Sequence, residues 1–152
     1  ASGIPYEIIF HKNSYVGRTF IKPTQEEREN SVRIKLNILE PAVRGKRIVL
    51  VDDSIVRGTT MKNLIRMLKK AGAKEVHVRV SSPPFLFPCY KQLIASSHSV
   101  EEICREIGAD SLGYMPVEDL EEMAGGLPLC TACFTGNYPM DVPDGEIKDA
   151  LE

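Results

Sequence analysis

Lys46-Arg47-Ile48-Val49-Leu50-Val51-Asp52-Asp53-Ser54-Ile55-Val56-Arg57-Gly58-Thr59-Thr60 is the stretch whose reading decides the fold. Four consecutive apolar residues, Ile48 to Val51, suit a strand buried on both faces, the habit of a parallel sheet flanked by helices. The strand stops at two carboxylates. A polar turn with Ser54, Gly58, Thr59 and Thr60 follows, and then Met61, Leu64, Ile65 and Leu68 share one helical face until Gly72 ends the pattern. In a strand, polar loop and helix N-terminus met in this order, the loop amides and the positive end of the helix dipole, roughly half an elementary charge, make an anion site. Phosphate is the expected guest.

The carboxylates sharpen that expectation. Two adjacent negative charges would repel a phosphate unless they serve another part of the same ligand, such as sugar hydroxyls or a Mg²⁺ ion that bridges to phosphate oxygens. Read in isolation, Asp52 and Asp53 equally well end a strand while Ser54 or Thr59 caps a helix. The coincidence of the acidic pair, the Gly-Thr-Thr turn and the apolar strand favours the ligand reading. Its shape is a phosphorylated sugar carrying a metal-bound polyphosphate.

Composition narrows the class. A chain of 152 residues with 43% hydrophobic residues buries one core, so one domain is the default. A net charge of -2 and a pI near 6.0 point away from nucleic acid, whose readers carry basic patches. No apolar run approaches the roughly 20 residues of a membrane span, and Ala1 opens no signal-peptide pattern. The expected compartment is the cytoplasm. Four cysteines are too few for a disulfide scaffold, and close pairs in a reducing compartment more often bind metal or do redox work.

Around the central stretch, Pro5 to Phe10 reads as a strand. Lys12 to Asn37 reads as a polar segment suited to close as a lid, its apolar period broken by Gly17, Pro23 and a run of charges. Lys74 to Val80 alternates Val76, Val78 and Val80 with His77 and Arg79, which predicts a more exposed strand beside the central one, with His77 toward solvent. None of His11, His77 and His98 has an acid or metal partner in sequence, so none is assigned catalysis. Ser99 and Glu102 make a capping box for a helix in which Val100, Ile103, Cys104 and Ile107 share a face, so Cys104 reads as core. Cys89, Cys130 and Cys133 instead lie in Pro- and Gly-bounded segments. By itself the single Cys-x-x-Cys fits zinc, an iron–sulfur cluster, a redox dithiol or none of these. Gly125-Gly126 marks a flexible join, dividing residues 1–126 from a cysteine-containing segment, 127–152.

Val51-Asp52-Asp53-Ser54-Ile55-Val56-Arg57-Gly58-Thr59-Thr60 resembles the phosphoribosylpyrophosphate-binding signature of type I phosphoribosyltransferases, in the form carried by the glutamine phosphoribosylpyrophosphate amidotransferase family, which opens purine synthesis. The likeness extends over Gly3-Ile4-Pro5-Tyr6, Tyr15-Val16-Gly17-Arg18-Thr19-Phe20-Ile21, Arg33-Ile34-Lys35-Leu36-Asn37 and Cys130-Thr131-Ala132-Cys133-Phe134-Thr135-Gly136. It implies that Asp52 to Thr60 bind phosphoribosylpyrophosphate, with Asp52 and Asp53 toward Mg²⁺. Arg18 and Lys35, on the lid, would be catalytic, stabilising the departing pyrophosphate. Cys89, Cys130 and Cys133 would hold a [4Fe–4S] cluster, with a fourth thiolate and a glutaminase domain supplied by sequence outside this chain. A homo-oligomer is implied as well.

Two departures from the family pattern stand out. Ser14 occupies a position where a basic residue is expected, and Cys89-Tyr90 runs directly into Lys91-Gln92-Leu93 where the family has a glycine-containing loop. The expected fold is α/β, a mainly parallel sheet with helices on both faces in a partial type I phosphoribosyltransferase domain, the ligand lying at the carboxyl ends of the strands.

Overall fold

The computed structural model describes residues 3–12, 36–87 and 97–139. An antiparallel pair, β1 (Phe10–Lys12) and β2 (Leu36–Ile38), precedes the short helix α1 (Glu40–Val43). Then follow β3 (Arg47–Asp52), α2 (Thr59–Lys70), β4 (Glu75–Val80), α3 (Val100–Ile107), β5 (Ser111–Tyr114), α4 (Val117–Met123) and α5 (Ala132–Thr135). The main sheet is parallel, in the order β3-β4-β5. Parallel neighbours need crossovers, and α2 and α3 lie in the two that join these strands.

The register explains the core. Ile48 lies opposite Val76, Leu50 opposite Val78, and Asp52 opposite Val80, which in turn faces Tyr114 on β5. Residues two apart on a strand share a face, so Ile48, Val76, Val78 and Val80 form one floor. Met61, Ile65 and Leu68 of α2 and Ile103 and Ile107 of α3 close over that floor in a single buried cluster. The expected α/β parallel arrangement is present, with these two helices on the same face.

Two local expectations change. The strand holding Ile48 to Val51 is not buried on both faces: Val49 is 45% and Val51 67% exposed. They point to the face that carries Arg47, Glu75, His77 and Arg79, and a run of four apolar residues does not by itself reveal whether a second layer covers it. β4, expected to be the more exposed strand, is instead the middle one, with Val76 and Val78 fully buried. His77 does not simply face solvent. Its Nε2 lies 3.0 Å from Glu75 Oε2 and its Nδ1 2.8 Å from Ser111 Oγ, so it ties β4 to β5.

Several small devices hold the layers in place. Ser99 and Glu102 form the expected capping box at the start of α3, and Gly108, with φ 77°, ends that helix. Asp110 sits between α2 and the sheet, accepting hydrogen bonds from Lys69 Nζ and from the Val76 N–H at 2.6 Å. These bonds hold its carboxyl below the usual range, the Lys69 contact first. The expected strand from Pro5 is shorter than read: regular pairing starts at Phe10, and Tyr6 is 89% exposed.

Candidate functional site

Asp52 is the last residue of β3, at the carboxyl edge of the sheet, where crossover loops of open α/β sheets bind ligands. Its carboxyl is half-buried and accepts the Asp53 N–H at 3.0 Å. Burial raises its pKa, the Asp53 charge raises it further, and the Asp53 amide works against both. Asp53 is exposed and accepts a hydrogen bond from Ser54 Oγ at 3.1 Å. The backbone beneath the pair is fixed from β4, because the Ser81 N–H and Ser81 Oγ both donate to the Asp52 carbonyl, at 3.0 and 3.2 Å. Sequence reading passed over Ser81. Its signal was positional, since it follows β4 directly at the same edge as Asp52.

The turn after the carboxylates is pinned by one side chain. Ile55 is 3% exposed and belongs to the core cluster, whereas Val56 and Arg57 face outward. Gly58, with φ 73°, is the N-cap of α2, a left-handed conformation that a side chain would strain. Neither Ser54 nor Thr59 caps this helix, and no side chain does. The first amides of a helix have no partner within it, and here the Lys62 N–H is already bonded to the Gly58 carbonyl one turn in. The bland alternative of a capped strand-to-helix turn therefore fails at its cap. What stands there is an uncapped positive helix end beside two carboxylates, suited to a ligand with both an anionic group and metal- or hydroxyl-bearing groups.

Of the residues singled out from sequence, the structure brings Asp52 to Thr60 together on this edge. Arg57, Gly58 and Thr59 also border a cavity of about 220 Å³ with Lys62, Asn63 and Arg66 of α2. Arg18, Lys35 and Cys89 lie outside the described residues, as do Ser14 and the Tyr90–Lys91 junction.

Cys130 and Cys133 flank the start of α5. The Cys133 carbonyl accepts the N–H groups of Leu86 and Phe87, at 3.0 and 3.1 Å, and the Phe85 and Phe134 rings pack with centroids 5.0 Å apart. This docks the Cys-x-x-Cys segment on the chain two residues ahead of Cys89. Among the described residues no group of three or more His, Cys, Asp or Glu is placed to hold a metal ion. Cys104 sits apart in α3, its Sγ directed to the Ala109 carbonyl at 3.4 Å, and burial pushes its thiol pKa up. It is half-buried rather than fully core, the sealing of this helix falling to Ile103 and Ile107.

The family model described as phosphoribosyl transferase domain matches residues 7–82, a range that contains β3, the acidic pair, the whole turn and α2. The chain belongs to the phosphoribosyl transferase domain family. The amidophosphoribosyltransferase of Bacillus subtilis is 53% identical over 156 aligned positions, covering 93% of this chain and 33% of that protein. The amidophosphoribosyltransferase of Archaeoglobus fulgidus is 54% identical over 159 positions, covering 97% and 35%. A solved structure of the glutamine phosphoribosylpyrophosphate amidotransferase from B. subtilis, complexed with ADP and GMP, superposes with a TM-score of 0.84 at 49% identity, over 99% of this chain and 36% of that one. The chain thus spans about a third of the length of these relatives. The 159-position alignment is longer than the chain itself, so that relative carries residues this sequence lacks. Among the described residues no helix is long and apolar enough to cross a membrane.

Proposed function

We propose that this chain is the phosphoribosylpyrophosphate-binding part of an amidophosphoribosyltransferase, a cytoplasmic, homo-oligomeric enzyme of purine synthesis. The intact protein transfers ammonia to C1 of phosphoribosylpyrophosphate, giving phosphoribosylamine and pyrophosphate. Ammonia comes from glutamine, hydrolysed in a glutaminase domain carried by sequence outside this chain. The observation that carries the reading is the acidic pair, fixed by Ser81 beside the uncapped start of α2.

In this reading the α2 N-terminus and the amides of Arg57 to Thr60 hold the 5-phosphate, with Ser54 and the backbone of Ile55 and Val56 shaping the turn. Asp52 and Asp53 take the ribose hydroxyls and a Mg²⁺ ion. The donors fit that ion: both are hard carboxylate oxygens, and Asp52 carries an anion that burial and its neighbour destabilise, which a cation relieves. When bound, Mg²⁺ neutralises the diphosphate leaving group. Arg18 and Lys35 share that task from the lid, where they stabilise charge that grows as pyrophosphate departs.

Residues 127–152 are read as a cysteine-containing segment set apart from the domain of residues 1–126. The described donors Cys130 and Cys133 suit a thiolate-bound cluster, and the Leu86 and Phe87 hydrogen bonds to the Cys133 carbonyl bring the approach to Cys89 alongside. Cys89, Cys130 and Cys133 would therefore be three of the four ligands of a [4Fe–4S] cluster.

The test is turnover of phosphoribosylpyrophosphate with ammonia, followed as pyrophosphate release from the full-length protein in the presence of Mg²⁺. Mg²⁺-dependent release that rises with ammonia is expected. Tight binding of phosphoribosylpyrophosphate without any release would replace the enzyme with a ligand-sensing module built on the same fold.

A further inference from the structure

Two anchors hold the stretch of chain that leaves β4. At the near end Ser81 gives its N–H and its Oγ to the Asp52 carbonyl, at 3.0 and 3.2 Å. At the far end the N–H groups of Leu86 and Phe87 converge on the Cys133 carbonyl, at 3.0 and 3.1 Å. Between the anchors stand Pro83 and Pro84. Proline fixes its own φ and restricts the residue before it, and the Pro83 side chain is fully buried. The stretch therefore has little freedom with which to absorb a shift at either end.

The far anchor is built from what a short helix leaves over. The last carbonyls of a helix have no partner within it. In α5 the Asn137 N–H goes to Thr135 Oγ1 at 3.3 Å, and the Cys133 carbonyl takes Leu86 and Phe87. Ala132, 1% exposed, seats this helix, and the Phe85 and Phe134 rings lie tilted by 50° with centroids 5.0 Å apart. Tilted ring pairs at this separation attract beyond the area they bury. Phe87 lies so close over Gly136 that an added Cβ would stand 3.0 Å from its ring. The parts of this contact are a carbonyl and aromatic rings rather than thiols.

We propose that Phe85 and Phe134 are positioning residues for the acidic pair: docking of α5 on residues 85–87 sets Ser81, and through Ser81 the peptide that joins Asp52 to Asp53. α5 lies outside the residues 7–82 that match the family model, so a late segment of the chain takes part in a site built mainly from β3 and α2. The link to substrate rests on the reading of Asp52 and Asp53 as phosphoribosylpyrophosphate ligands; the link to Ser81 does not.

The experiment uses the full-length protein and two readouts, amide hydrogen exchange at Ser81 and calorimetric titration with Mg²⁺–phosphoribosylpyrophosphate in the absence of glutamine and ammonia. Phe134→Leu should speed exchange at Ser81 and weaken the ligand about threefold. Phe85→Leu, which removes the same ring contact from the other side, should match it in both readouts, and Phe134→Tyr should keep wild-type values. Residues acting through one network are not additive, so in a Ser81→Ala background Phe134→Leu should weaken the ligand by less than about 1.5-fold. Unchanged exchange at Ser81 in the Leu variants overturns the proposal. An undiminished loss in the Ser81→Ala background also overturns it, because the effect would then bypass Ser81. Faster exchange with unchanged affinity overturns it as well, since the restraint on Asp52 would not reach the ligand. If Phe134→Leu melts before it can be titrated, Phe85→Leu is read by the same criteria. Wild type that binds no phosphoribosylpyrophosphate would sink the substrate reading, and faster Ser81 exchange in the Leu variants would then leave the positioning of Ser81 standing.

Discussion

The carbonyl oxygen of Asp52 accepts two hydrogen bonds from Ser81, one from its N–H at 3.0 Å and one from its Oγ at 3.2 Å. A bond between backbones is ordinary in a parallel ladder, whereas the hydroxyl adds a second restraint on the peptide that joins the two carboxylates. Ser81→Ala keeps the first and loses the second. With a net worth of about 1 kcal/mol for such a bond, the affinity for Mg²⁺–phosphoribosylpyrophosphate should fall roughly fivefold. Ser81→Thr, which keeps the hydroxyl, should restore it. Titration of the three full-length proteins decides, and equal affinities would show that the ladder bond alone positions Asp52.

The acidic pair should trade stability for binding. Because burial raises the Asp52 pKa, the folded chain binds this proton more tightly than the unfolded chain does. The sign follows: the stabilising effect of the protonated form is present at low pH and disappears as pH rises from the unfolded value, near 3.9, through the raised folded one. At neutral pH the charged carboxylate therefore works against folding. Asp52→Asn should leave the melting temperature of the full-length protein unchanged or higher, while it and Asp53→Asn each weaken Mg²⁺–phosphoribosylpyrophosphate binding by more than tenfold. A lower melting temperature together with unchanged affinity would reduce the pair to a strand ending.

Much of this site was legible in the chain because its signals are local. Asp52, Asp53 and Gly58 follow one another in the order that a strand, turn and helix require, and Ser99 and Glu102 announce their capping box by spacing alone. What the sequence hid is set by neighbours far along the chain. Val49 and Val51 look like buried-strand residues, yet their exposure depends on what covers the other face of the sheet. His77 was read as solvent-facing because its partner Ser111 is 34 residues away, and Ser81 gained its role only from the register of β4 against β3. The cavity beside α2 was missed for the same reason, since Glu106 and Ile107 reach it from another helix.

Asp110 offers a test of how α2 is held on the sheet. Its carboxylate receives Lys69 from α2 and the Val76 N–H from β4, and both lower its pKa. A lowered folded pKa means stability that is present above the unfolded value and lost as pH falls through the folded one. Asp110→Asn should destabilise the full-length protein by about 1 kcal/mol at pH 7, near the low end for a charged bond because both partners of the ion pair are more than a third exposed. The gap to wild type in thermal melts should shrink toward pH 3. A gap that stays constant down to that pH would place the effect in packing rather than in the charge.

The last prediction separates the cysteines by their surroundings. Thiolates, not thiols, bind iron, and a buried thiol with a raised pKa is a poor ligand. Cys104 is half-buried, its thiol pKa is raised by that burial, and its Sγ is already directed to the Ala109 carbonyl. Cys130 is exposed, and the segment it shares with Cys133 is anchored through the Cys133 carbonyl to Leu86 and Phe87. The full-length protein purified without oxygen should then be brown, Cys130→Ser should bleach it, and Cys104→Ser should leave its broad visible absorbance unchanged. Gly136→Ala probes the docking rather than a ligand: Gly136 has φ 80°, and an added Cβ would stand 3.0 Å from the Phe87 ring. It should loosen the contact that holds Cys133 against Leu86 and Phe87 and speed loss of colour in air without removing any thiol. A colourless anaerobic preparation with stoichiometric zinc would overturn the cluster and leave the transferase reading intact, whereas bleaching by Cys104→Ser would put the ligand on α3 instead.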